Sequence, residues 1–170
     1  MTTTAADPLQ TQYLTFCVGD EEYGVGILQA KEIIEYDTVT TVPNAPRFIR
    51  GVINLRGSVV PVVDLAVKFG RTPSPVTRRS CIVVVELQRD GQRTVMGIAA
   101  DRVSQVAELA PGTIEPAPDF GTGVRSDWLQ GLGRSDKRFI LLLNTDRVLT
   151  TEEQQALPAT TPNDTTELPS

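Results

Sequence analysis

The sequence predicts an all-β protein: two small β-barrels packed side by side, with short helical turns and a short C-terminal helix. Three observations carry this expectation. Short aliphatic and β-branched runs bounded by Gly, Pro, Asp and Asn recur through the middle of the chain. A two-residue turn signal, Asp90-Gly91, separates two of these runs. The second half then repeats the pattern of the first, in the same order.

The elements follow in sequence. Residues 1–12 are Thr- and Ala-rich and read as a disordered tail. Tyr13–Val18 alternates, with Leu14, Phe16 and Val18 on one face and Tyr13, Thr15 and Cys17 on the other. Gly51–Ile53 turns through Asn54-Leu55-Arg56-Gly57 onto Val59–Val63. Gly70–Thr77 holds Pro73 and Pro75, and residues 70–79 read as the linker between a first barrel at 13–69 and a second at 80–149. Cys81–Leu87, Arg93–Ala99 and Arg138–Leu143 are further strands. Ile82–Val85 and Phe139–Leu143 lack alternation, which suggests strands covered on both faces. Thr150 followed by Glu152, Glu153 and Gln154 reads as a capped helix over 150–157, and 158–170 reads as a second disordered tail. Trp128 reads as an anchor of a small satellite core.

The repeat can be followed residue by residue. Gly24, Val25, Ala30 and Ile33 are echoed by Gly97, Ile98, Val103 and Val106 at an offset of 73 residues. Ala45-Pro46-Arg47-Phe48 is echoed by Ala117-Pro118-Asp119-Phe120 at 72. Gly51, Val60, Val63 and Asp64 are echoed by Gly131, Ile140, Leu143 and Asn144 at 80. A half of about 65 residues is marginal alone, so two such units are expected to share an apolar face.

Composition narrows the function. Sixteen basic against 21 acidic residues give a net charge of −5, which speaks against a phosphate-driven nucleic-acid binder. The chain has no histidine, which removes Ser–His–Asp and Cys–His arrangements and most zinc sites. No Gly-x-Ser-x-Gly elbow or phosphate-binding loop is present. The two cysteines, Cys17 and Cys81, sit alone in apolar runs and read as small hydrophobes. No basic-then-apolar leader opens the chain, and no apolar run is long enough to cross a bilayer, so a cytoplasmic protein is expected. A carboxylate pair assembled from distant segments, such as Glu35 with Asp64, stays open. No catalytic residue, metal, cofactor or small-molecule substrate is expected, and a binding module is the favoured class.

Phe16-Cys17-Val18-Gly19-Asp20-Glu21-Glu22-Tyr23-Gly24-Val25, with Ile27-Leu28 and Glu32-Ile33, resembles the opening of the CheW family of chemotaxis coupling proteins. Val42-Pro43-Asn44-Ala45-Pro46-Arg47-Phe48-Ile49-Arg50-Gly51-Val52-Ile53-Asn54-Leu55-Arg56-Gly57 resembles that family's most distinctive stretch. The likeness runs on through Asp101-Arg102-Val103 and Gly131-Leu132-Gly133 and covers 13–149. It implies two SH3-like five-stranded barrels and a scaffold that binds two partners. One is the hairpin tip of a chemoreceptor; the other is the regulatory domain of a CheA-type histidine kinase, which has the same fold. No nucleic acid and no direct membrane insertion are implied.

The resemblance and the repeat together nominate site residues. Glu32 and Arg56 match two polar positions that such proteins pair, Arg56 precedes Gly57 at a turn tip, and these two with Asn54 are expected to belong to the receptor-binding surface. Ile27, Ala30, Val103 and Val106, where each half leaves a strand through a short helical turn, would line a receptor groove. Pro43, Ala45, Pro46 and Phe48 form a stiff loop for the kinase domain. Gly51 and Gly57 serve turn geometry. The plainer alternatives are an unrelated surface pair, ordinary core and a rigid connector. Rival functions are a CheW-like module of a CheV-type or pilus pathway, a tandem-barrel nucleic-acid binder, and a hydrolase without histidine.

Overall fold

The computed structural model describes residues 11–19, 21–37, 39–73, 75–89, 91–115, 129–135 and 138–147. Eleven strands make up most of this: β1 (Gln12–Val18), β2 (Glu21–Gly26), β3 (Ala30–Glu35), β4 (Ile49–Leu55), β5 (Ser58–Val63), β6 (Cys81–Arg89), β7 (Gln92–Ala100), β8 (Arg102–Glu108), β9 (Ile114–Glu115), β10 (Leu129–Ser135) and β11 (Arg138–Leu143). A one-turn helix, α1 (Leu65–Lys68), follows β5, its N-terminus capped by the Asp64 carboxylate. The mainly-β expectation holds. The helix expected over 150–157, the second tail and Trp128 lie outside the described residues.

The strands form two sheets, ordered β8-β1-β2-β11-β10-β9 and β3-β6-β7-β5-β4. Neither sheet is a contiguous half of the chain. The β1–β2 hairpin lies between β8 and β11 of the second half, and the β6–β7 hairpin lies between β3 and β5 of the first. A division at 70–79 into self-contained sheets is therefore corrected: the halves exchange hairpins. Burying the hairpins crosswise lets each half supply core to the other.

The sequence repeat is visible as paired geometry. Gly24 pairs with Leu142 in a parallel contact between β2 and β11, and Gly97 pairs with Val62 in the same contact between β7 and β5. Lys31 and Ser104 are the extra residues of bulges in β3 and β8, and Arg50 and Gln130 those of bulges in β4 and β10. Each of these matches falls at the offsets of 73 and 80 read from the sequence.

The largest apolar cluster lies between the sheets and joins Leu14, Phe16 and Val18 of β1 to Val83, Val85 and Leu87 of β6 and to Met96 and Ile98 of β7. The opposite faces feed two smaller clusters. Ile82 and Val84 turn to one with Val60 and Val62; Ile140 and Leu142 turn to the other with Tyr13. This explains the runs without alternation: both faces of β6 and most of β11 are covered. Phe139 departs from the expectation, being 51% exposed near the start of β11.

Ala30, Val103 and Val106 lie in strands β3 and β8, which corrects the helical turns expected there. Their backbone groups find partners on the exchanged hairpins, β6 and β1, rather than within a local turn. Only residues 27–29 make a turn, closed by the Gln29 N–H donating to the Gly26 carbonyl at 2.9 Å.

Candidate functional site: the seam of the second sheet

The sheet ordered β3-β6-β7-β5-β4 curls until its two margins approach. Past the end of β3, Thr40 exchanges two backbone hydrogen bonds with Val52 of β4, at 2.9 and 2.8 Å. Gly51 makes this possible. Its φ of +152° is one that favours glycine, and a Cβ there would run into the Thr40 carbonyl. Gly51 thus serves the seam inside β4, not a turn, which corrects its expected role.

At the outer end of the seam Arg56 meets Glu32. Arg56 Nη1 donates to Glu32 Oε1 at 2.6 Å and Nη2 to Oε2 at 3.2 Å, a two-pronged contact. The β4–β5 turn aims the arginine. Arg56 and Gly57 both take positive φ, 53° and 87°, the pattern of a two-residue hairpin loop. The Gly57 N–H donates to Asn54 Oδ1 at 2.9 Å, so Asn54 braces the turn. The Arg56 side chain is 74% exposed, and hydrogen bonding to Glu32, then its charge, hold the guanidinium above its ordinary pKa. An exposed pair of this kind, screened by solvent, adds little to stability. What it supplies is a fixed pattern of charge on a visible surface.

At the inner end lies a network that the sequence reading did not find. The Asp64 side chain, 3% exposed, accepts from Arg50 Nε and Nη2, both at 2.8 Å, through Oδ2. Its Oδ1 accepts from the Ala66 and Val67 N–H groups. Arg50 Nη1 donates to the Tyr36 hydroxyl at 3.3 Å, and the guanidinium lies 5.6 Å from the centre of the Tyr36 ring. Burial works against the Arg50 charge, but the Tyr36 hydroxyl and the Asp64 carboxylate outweigh it and raise its pKa. Asp64 is thereby committed to Arg50 and to the helix cap, while Glu35 is exposed on β3, so the two carboxylates do not act as a pair. The clue in the sequence was the repeat itself, which sets Asp64 against Asn144 and Arg50 against Gln130.

The other nominated residues divide. Ile27, Ala30 and Val103 are half-buried and pack against the core between the sheets, at its rim. Val106 stands apart, 51% exposed on the marginal strand β8. In the 43–48 loop Pro43 is exposed and Ala45 and Pro46 are half-buried, but Phe48 is 8% exposed and belongs to the core. Its carbonyl accepts from the Asp64 N–H at 2.6 Å, and Lys68 Nζ lies 4.5 Å from its ring centre. Phe48 therefore anchors the loop from beneath. Among the described residues there is no cluster of three or more His, Cys, Asp and Glu side chains that could hold a metal, and no helix long and apolar enough to span a membrane.

Comparison with known proteins bears on this geometry. The model of the CheW-like domain family matches residues 12–153. A chemotaxis protein CheW of Klebsiella aerogenes is 40% identical over 149 residues, covering 88% of this chain and 87% of that one. A probable chemotaxis protein CheW of Rhizobium etli is 32% identical over 145 residues, covering 85% and 91%. The crystal structure of the scaffolding protein TtCheW from Thermoanaerobacter tengcongensis superposes with a TM-score of 0.75 at 27% identity, covering 90% of this chain and 96% of that one.

Proposed function

The chain belongs to the CheW-like domain family, and from that premise we propose that it is a cytoplasmic, non-enzymatic chemotaxis adaptor that joins the helical hairpin tip of chemoreceptors to the regulatory domain of a CheA-type histidine kinase. The observation that carries this reading is the Arg56–Glu32 pair. It is an exposed, charged feature on a sheet margin, and Glu32 shares strand β3 with the half-buried Ala30, which packs at the rim of the core between the sheets. A helix laid along such a rim would find an apolar strip with a charged edge, the usual chemistry of a helix in a groove. The 43–48 loop, stiffened by its prolines and anchored by Phe48, supplies a separate face for the kinase domain. In this reading each curled sheet acts as a small barrel, and 13–149 act as one unit.

The test is co-sedimentation of the full chain with a receptor cytoplasmic fragment and the kinase regulatory domain, each alone and both together. The expected result is retention of both at once. Failure to retain either partner overturns the proposal.

A further inference from the structure

The duplication supplies an internal control for the Tyr36–Arg50–Asp64 network. The other sheet, ordered β8-β1-β2-β11-β10-β9, has the same seam, with β9 pairing to Leu132 and Gly133 of β10 and Gly131 set against the Glu115 carbonyl as Gly51 is against Thr40. At the offsets of the repeat, Leu109, Gln130 and Asn144 stand where the first half has Tyr36, Arg50 and Asp64. Leu109 is 4% exposed and packs on β10 at Gly133. One seam is thus closed by an apolar side chain and backbone pairing, and a buried charge is not something this fold demands. The buried charge occurs in the sheet whose seam also carries Glu32 and Arg56.

We propose that Arg50 is a positioning residue: held by Asp64 on one side and bonded to Tyr36 on the other, it sets β3 against β4 and so keeps Glu32 and Arg56 face to face. The geometry explains why charge is used. Tyr36 directly follows β3, the strand of Glu32, and Arg50 lies in β4, the strand that leads to the Arg56 turn. Asp64 fixes the guanidinium from below while itself held by two N–H groups of α1. A planar fork bonded at both ends admits a narrow range of strand separations, whereas a leucine contact slides. The part of this inference that concerns partner binding rests on the adaptor reading; the part that concerns Arg56 does not.

The experiment uses the full chain with Arg50→Gln and Asp64→Asn together, the pair present in the second half. Removing both members leaves no buried charge without its partner, so the fold is expected to survive with cooperative melting. Two readouts are taken. One is the side-chain Nε–H resonance of Arg56 and its exchange with water by NMR; the other is affinity for a receptor cytoplasmic fragment. The expected result is faster exchange at Arg56 and a loss of affinity of about tenfold, the usual scale for coupled neighbours. An unchanged Arg56 resonance with unchanged affinity overturns the proposal. If the double variant melts without cooperativity, Arg50→Lys decides: it keeps the charge but cannot bridge Asp64 and Tyr36. Wild-type behaviour of Arg56 in that variant also overturns it. Absence of receptor binding by the unsubstituted chain sinks the adaptor reading alone, because the Arg56 resonance still reports positioning.

Discussion

Glu32 and Arg56 are 24 residues apart in the chain and sit at opposite margins of a five-stranded sheet, yet their side chains meet end to end. The meeting requires the whole sheet to curl, so the pair reports on the shape of the sheet as well as on surface charge. It adds little to folding while depending on folding for its form.

Reversing the charge with Arg56→Glu is therefore expected to separate binding from stability. Affinity for a receptor fragment should fall at least about tenfold, while the midpoint of thermal unfolding moves little, since the lost pair is solvent-screened and adds little to stability. Calorimetry alongside titration checks this. A collapse of the midpoint would make the pair a structural element instead.

Alkaline pH gives a second expectation, centred on Tyr23. This residue is 1% exposed, stacks at 6.1 Å on Phe16 and lies 5.7 Å from Phe69. Its hydroxyl donates to Glu21 Oε1 at 2.7 Å, and Arg71 holds the other carboxylate oxygen at 2.7 Å. Burial first, then the Glu21 hydrogen bond and charge, push the phenol far above its ordinary value of 10.0. The folded state thus keeps a proton that the unfolded chain releases. Stability from this group is complete below pH 10 and declines above it by about 1.4 kcal/mol per pH unit. Denaturant titrations at pH 9 to 11 should show this slope in the wild type and a smaller one in Tyr23→Phe.

The crosswise hairpins predict the behaviour of fragments. Residues 1–74 alone contain β1 and β2 but lack β8 and β11, which flank them; 75–170 alone contain β6 and β7 but lack β3 and β5. Neither fragment should show cooperative melting by circular dichroism, and the two produced together should co-purify and regain it. Independent folding of either half would contradict the exchanged arrangement.

The parallel contacts at the two glycines should differ in tolerance. A Cβ at Gly97 would come within 2.5 Å of Ile82, which is fully buried; at Gly24 the nearest atoms, on Leu142 and Ile140, stand at 3.0 and 3.1 Å. Gly97→Ala is expected to cost about 1–3 kcal/mol through overpacking, and Gly24→Ala distinctly less. Chemical denaturation of the two variants measures the difference.

Several of these features were legible in the chain before any coordinates. Alternation in Tyr13–Val18, the Arg56-Gly57 turn and the offsets of the repeat are local or periodic, and local sterics enforce them whatever surrounds them. Strands β3 and β8 were not legible. Each carries charged or polar residues at several positions, and their hydrogen bonds come from hairpins belonging to the other half.

What the sequence by itself determined is the mainly-β character, the duplication and, through its resemblance to a known family, the pairing of Glu32 with Arg56. What only the tertiary structure decided is which half each hairpin joins, that Phe48 lies beneath its loop, and that Arg50 finds Asp64 and Tyr36. The physical reason is common to all three. Each depends on burial and hydrogen bonding between segments far apart in the chain, summed over both sheets, quantities that no single stretch of residues contains.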